Sequence, residues 1–132
     1  MTRARVLILI PARYESVRFP GKPLSEILGK SLIQRVFENV SVNPQKTSYD
    51  WQAWVVTDDQ RIEDHVKQFG GNVCRVDDQV ESGSERIQLA MTRFFSNESW
   101  DLVVNVQGDE PLLESIDLIN IVESHLKNKN KL

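Results

Sequence analysis

Val6-Leu7-Ile8-Leu9-Ile10, ending at Pro11, is a short and wholly apolar run. A strand with one wet face alternates polar and apolar residues, whereas this run has no polar face. It reads as a strand covered on both sides in a parallel sheet. Downstream, Leu32, Ile33, Val36, Phe37 and Val40 recur at helical spacing and predict an amphipathic helix from about Ser31 to Val40, with Ser41 to Asp50 as polar connection. A second strand is expected at Ala53 to Val56. Thr57, with Gln60 three positions on, then forms a capping box for a helix carrying Ile62, Val66 and Phe69 on one face. Gly70-Gly71 supplies the left-handed residue that commonly ends such a helix, and Asn72 to Val76 reads as the third strand. Ser84 is expected to cap a helix with the stripe Ile87, Ala90, Met91 and Phe94, and Asp101 to Val106 to form another buried strand. Ser115 opens the last helix, with Leu118, Ile119, Val122 and Leu126 facing the core and Lys127 to Lys131 solvated and frayed.

Strand and helix alternate, which predicts an α/β fold: a mostly parallel sheet with helices on both faces and right-handed crossovers. Ligands of such sheets collect at the carboxyl ends of the strands. The loops Pro11 to Leu24 and Gln107 to Leu112 should therefore share one rim of the sheet.

Bulk properties agree with one ordinary globular domain. The 132 residues suit a single core, and 40% hydrophobic with 27% charged residues is far from a disordered composition. A net charge of -3, spread along the chain, predicts no general attraction to nucleic acid or to an anionic membrane. Cys74 is the only cysteine, so no internal disulfide can form, and it is expected to be a buried structural thiol of a reducing compartment. The run Val6 to Ile10 is far shorter than a membrane span or a signal-peptide core, and the compartment expected is the cytoplasm.

The chemistry lies in the predicted rim. Pro11-Ala12-Arg13-Tyr14-Glu15-Ser16-Val17-Arg18-Phe19-Pro20-Gly21-Lys22-Pro23-Leu24 gathers three cations in one turn-rich segment. Arg13 and Arg18 offer planar forks for phosphate oxygens, Lys22 a compact charge, and Gly21 a close backbone approach, so a polyphosphate is the natural ligand. Any one such cation would more often just solvate a surface loop, but clustering after a buried strand reverses those odds. Neither a G-x-G-x-x-G nor a G-x-x-x-x-G-K-[ST] fingerprint occurs, which disfavours dehydrogenases and P-loop enzymes. Gln107-Gly108-Asp109-Glu110 puts adjacent carboxylates just past a strand, as suits either a magnesium ligand or a capped turn. Ser82-Gly83-Ser84-Glu85-Arg86 can present helix-terminal amides to a polar ligand, or serve as a cap alone. Asp58 is better explained as part of a helix cap than as a ligand contact. His65 and His125 lack partners at metal-ligand spacing and read as helix-surface residues, and Trp51, Trp54 and Trp100 as packing beside the strands.

Taken together, IPARYESVRFPGKPL, VTDD, SGSER and NVQGDEPLL, in this order, resemble the 3-deoxy-manno-octulosonate (KDO) cytidylyltransferase family from about Val6 to the last helix. The resemblance implies a nucleotidyltransferase-type, Rossmann-like fold, of which residues 1–132 are the N-terminal nucleotide-binding part. It also implies transfer of CMP from CTP to KDO with release of pyrophosphate, within lipopolysaccharide synthesis. By motif, Arg13, Arg18 and Lys22 would hold the triphosphate. Asp109 would hold Mg2+, Gln107 would lie toward the sugar, and Ala12, Ser84 and Arg86 would help form the cytidine pocket. Lys22, Arg13 and Asp109 would carry catalysis. The family is considerably longer, and its later portion carries further sugar contacts, a second acidic metal ligand and much of a homodimer contact. The present chain is accordingly expected to bind CTP weakly and to turn over little by itself. A cytidylyltransferase for a sialic acid or for amino-KDO, and a non-catalytic nucleotide-binding or assembly module, are the alternatives.

Overall fold

In a computed structural model of the protein, residues 4–15, 20–41, 48–107 and 115–129 are described. Strand β1 spans Arg5–Ala12 and pairs in parallel with β4 (Asp50–Thr57) on one side and β6 (Leu102–Asn105) on the other. Strand β5 (Val73–Arg75) extends the sheet beyond β4, giving the order β5-β4-β1-β6, all parallel. The helices are α1 (Leu32–Val40), α2 (Gln60–Gln68), α3 (Gly83–Phe94) and α4 (Ser115–Lys129).

Val6 to Ile10 are entirely buried, and period-2 geometry sends them alternately into two cores. Val6, Ile8 and Ile10 meet Ile33 and Val36 of α1, Ile62 and Val66 of α2, and Leu118 and Val122 of α4. Leu7 and Leu9 meet Ile87 and Ala90 of α3, with Cys74 and Phe95. Helices thus cover both faces, as the alternation of elements predicts. The chain builds outward from β1 through β4 to β5, then returns past them through α3 to β6, so the strand order reverses between β1 and β6. At their carboxyl ends such a reversal opens a crevice suited to ligands.

Several boundaries differ from expectation. β1 continues through Pro11 to Ala12, in register with Val56 and Thr57 of β4. Pro11 shares parity with Leu9, whose carbonyl accepts from Val106 on the β6 side. Pairing with β6 ends at Leu9, so the missing proline N–H falls where no ladder bond is needed. β4 begins at Asp50 and holds Trp51 and Trp54 within it; the Trp51 indole N–H donates to Val40 O at 2.8 Å and Trp54 lies edge-on to Phe95. β6 is only half buried, because it lies at the edge of the described sheet and exposes Val103 and Asn105. In α3 the core position is taken by Phe95, just past the helix, while Phe94 is exposed. α4 runs through Lys129, beyond the expected start of fraying.

The caps also move. Thr57 is fully buried at the end of β4, and its hydroxyl accepts from Asp59 N–H, so α2 is capped by Asp59, whose carboxylate accepts from Arg61 N–H at 2.7 Å. Gly70 adopts a φ of 83° after α2, the left-handed exit expected of it. Helix α3 is capped by Ser82, not Ser84: the Ser82 hydroxyl accepts from Glu85 N–H at 3.2 Å. His65 is not a free surface residue, since its Nε2 lies 2.6 Å from the buried Ser31 hydroxyl that caps α1 and its ring stands edge-on to Phe69. Cys74 is buried as expected, and that burial, with Glu63 nearby, pushes its thiol up to about 12.

Between β1 and α1, a 3-10 turn at Lys22–Leu24 leads into a small hairpin of β2 (Glu26–Ile27) and β3 (Lys30–Ser31). Its tip exposes Leu28, 94% accessible, while Arg35 ties down the Ile27 and Leu28 carbonyls. Replacing Ile33 by Ala should therefore cost about 2–5 kcal/mol in urea unfolding, whereas Leu28→Ala should stay within about 0.5 kcal/mol.

Candidate nucleotide-binding site

The carboxyl ends of β1, β4 and β5 open onto a cleft of about 650 Å3, lined by Arg13, Glu15, Asp58, Asp77, Asp78, Gln79, Val80 and Arg86. Arg13 follows β1 directly and is exposed, Asp58 follows β4, and residues 77–80 follow β5. Arg86 enters from the first turn of α3, whose N-terminus approaches β1: a Cβ added at Gly83 would stand 3.9 Å from Pro11. The cleft thus uses the rim that parallel topology assigns to ligands, and its walls include the loops after β4 and β5.

Arg86 is only 4% exposed. Its guanidinium donates to the carbonyls of Val76 and Asp78 and lies 3.9 Å from the Asp58 carboxylate. Its Nε is buried without a partner, a donor that a water or ligand oxygen admitted to the cleft would satisfy. Arg86 therefore shapes the cleft, pinning the strand-to-helix connection after β5 as well as lining the cavity. Asp58, which the sequence places in a helix cap, is no cap: its Oδ1 accepts from Tyr14 N–H at 3.4 Å. Asp78 is held by Arg93 through paired bonds of 2.6 and 2.9 Å, and that guanidinium keeps its carboxyl below the ordinary range.

The lining carries two cations, Arg13 and Arg86, against the carboxylates Glu15, Asp58, Asp77 and Asp78. Because Arg86 is engaged with Asp58 and backbone carbonyls, the acidic part of the cleft repels a triphosphate and suits hydrogen-bond donors, such as hydroxyl or amino groups. Arg13, at the start of the cationic loop, is the exposed cation of the lining, with Glu15 two residues on. Lys22 closes that loop as the first residue of the 3-10 turn and is exposed.

Of the residues singled out from the sequence, Arg13 and Arg86 both line the cleft, while Ala12 is buried at the end of β1 and does not line it. Ser84 lies exposed in the first turn of α3, and Gln107 is exposed just beyond β6; neither lines the cleft. Val106 N–H donates to Leu9 O at 2.9 Å, so the chain leaves β6 on the same rim as Arg13. Arg18 and Asp109 lie outside the described residues. Sequence reasoning missed Asp77, Asp78 and Arg93; the available signal for the two aspartates was their place after the third strand, and Arg93, in the last turn of α3, had none. It also missed the capping pattern Ser82-x-x-Glu85. Among the described residues no three His, Cys, Asp or Glu side chains converge as a metal cage, and magnesium needs none, since it takes one or two carboxylates with phosphate oxygens. Nor, among those residues, is any helix long and apolar enough to cross a membrane.

An all-parallel sheet whose strand order reverses beside β1, with a polar cleft on its carboxyl rim, defines a doubly wound α/β protein. Residues 7–132 match the cytidylyltransferase family, and the chain belongs to it. It is 45% identical over 117 residues to an 8-amino-3,8-dideoxy-manno-octulosonate cytidylyltransferase of Shewanella woodyi, covering 89% of this chain and 46% of the relative. It is 49% identical over 106 residues to a 3-deoxy-manno-octulosonate cytidylyltransferase of Chlamydia felis, covering 80% and 39%. A solved CMP:2-keto-3-deoxy-manno-octonic acid synthetase complexed with CTP superposes with a TM-score of 0.81 at 35% identity, over 96% of this chain and 49% of that one. The chain spans under half the length of these two curated relatives.

Arg86→Met keeps much of the side-chain volume but abandons the Val76 and Asp78 carbonyls. It should lower unfolding stability by about 2–3 kcal/mol, and Arg86→Lys should restore less than half, because a single ammonium lacks the planar fork.

Proposed function

We propose that this chain is the CTP-binding part of a cytidylyltransferase that transfers CMP to an acidic eight-carbon sugar, KDO or its 8-amino analogue, releasing pyrophosphate. The observation that carries the reading is the Arg13–Arg86 cleft at the carboxyl ends of the strands, in a chain of the cytidylyltransferase family. The likeness to a synthetase solved with CTP supports the nucleotide. Relatives of both sugar types stand at similar identity, which supports the sugar class and leaves the 8-amino group as the distinction. The wider reading, in lipopolysaccharide synthesis by a cytoplasmic homodimer, rests on the motif resemblance.

In this reaction the anomeric hydroxyl oxygen of the sugar bonds to the α-phosphorus, the bond to the β-phosphate bridging oxygen breaks, and the hydroxyl proton passes to solvent. Negative charge gathers on the phosphate oxygens. Arg13, Arg18 and Lys22 neutralise it, and such electrostatic stabilisation with alignment supplies most of the rate. Ala12 and Ser84 serve the nucleoside, Arg86 braces its pocket, and Gln107, leaving β6 on the same rim, faces the sugar. Magnesium held by Asp109 would supply charge neutralisation at the phosphates. An assembly module that binds nucleotide without turnover is the second reading, and absence of pyrophosphate release from a full-length relative carrying this segment would favour it.

Calorimetry should find CTP with magnesium bound about tenfold or more tighter than GTP, a difference of about 1.4 kcal/mol; equal or better purine binding would refute the cytidine reading. Lys22→Ala should weaken CTP by about 1.5–3 kcal/mol, the worth of a charge-assisted contact. Lys30→Ala should do little, since Lys30, on the hairpin, pairs with Glu38 of α1. Equal effects would reduce Lys22 to a solvated surface charge.

Asp109→Asn keeps the shape of the side chain and removes its charge. The tightening of CTP binding on adding magnesium should disappear while the unfolding midpoint stays in place; an unchanged magnesium response would remove Asp109 from the metal site.

A further inference from the structure

Tyr14 stands where β1 gives way to the cationic loop, immediately after Arg13 and well before Lys22. Its carbonyl accepts from Gly21 N–H at 2.6 Å. Gly21 has a φ of 73°, and a Cβ added there would meet the Tyr14 ring at 3.1 and 3.2 Å and its hydroxyl at 3.3 Å, so the loop's far end lies directly against that side chain. The ring is in turn covered by the Arg61 guanidinium, 3.3 Å from its centroid. Arg61 is fixed by Asp59, the N-cap of α2, through bonds of 3.0 and 2.8 Å. A continuous set of contacts therefore runs from the cap of α2 through Asp59, Arg61 and Tyr14 to Gly21. Neither Arg61 nor Tyr14 lines the cleft.

The geometry points to Arg61 as a positioning residue: by stacking on Tyr14 it holds the two ends of the cationic loop together. Arg13 and Lys22, the residues just outside that closure, are thereby presented to a polyphosphate at a set separation. This rests on the nucleotide reading of the loop. A side chain that is 58% exposed and paired with a neighbouring carboxylate would ordinarily contribute little. What gives it a role is the planar guanidinium, which can form its bidentate pair and face the ring at the same time.

The test measures two quantities in the intact chain: hydrogen exchange of the Gly21 amide by NMR, with the Val55 amide of β4 as reference, and CTP affinity by calorimetry. Arg61→Met should raise Gly21 exchange and weaken CTP by about two- to fivefold each, the factor expected of one exposed cation–π contact, with Val55 unchanged. Tyr14→Leu should reproduce both losses, and Tyr14→Phe, which keeps the ring, should restore both. Unchanged Gly21 exchange in Arg61→Met overturns the clamp, and faster exchange with unchanged CTP affinity overturns its positioning role. If the unaltered chain binds no nucleoside triphosphate, the nucleotide reading falls by itself, and the exchange data still support or overturn the clamp.

Discussion

Every part of this molecule depends on the burial of β1 on both faces. Five consecutive residues, Val6 to Ile10, have no contact with solvent, and each is opposed on one face or the other by a helix. Fully burying a side chain of this kind is worth about 1.5–3 kcal/mol, so the two cores meeting at β1 are the main source of cohesion. Parallel pairing with β4 and β6 then aligns the carboxyl ends of the strands, bringing loops distant in sequence to one rim.

The rim mixes charge: Arg13 and Glu15 follow β1, Asp58, Asp77 and Asp78 follow β4 and β5, and Arg86 is buried beside Asp58. Arg86 is central because it ties the backbone after β5 to α3 while facing Asp58. Truncating it would leave buried carbonyls unpaired, so stability and the shape of the cleft are coupled through one side chain.

The sequence alone determined the order of the helices and the four sheet strands, the parallel α/β class, the rim and the clustering of cations after β1, but not the 3-10 turn and hairpin between β1 and α1. Those features rest on local periodicity and on residue types whose chemistry does not depend on distant partners: the unbroken apolar run of β1, the helical spacing of α1, and the Arg and Lys residues around Gly21. Only the tertiary structure decided the roles of Asp58, Asp59, Arg61, Tyr14, His65 and Arg86. Asp58 and Asp59 are chemically alike and adjacent, yet one faces the cleft and the other caps α2, because β4 runs through the buried Thr57, one residue past its expected end at Val56. The Ser31–His65 contact spans 34 residues and the Arg61–Tyr14 stack 47, and neither has a sequence signal, since such pairs exist only once β1 and β4 lie side by side. Long-range pairing is set by the packing of whole elements, and a local pattern carries no record of it.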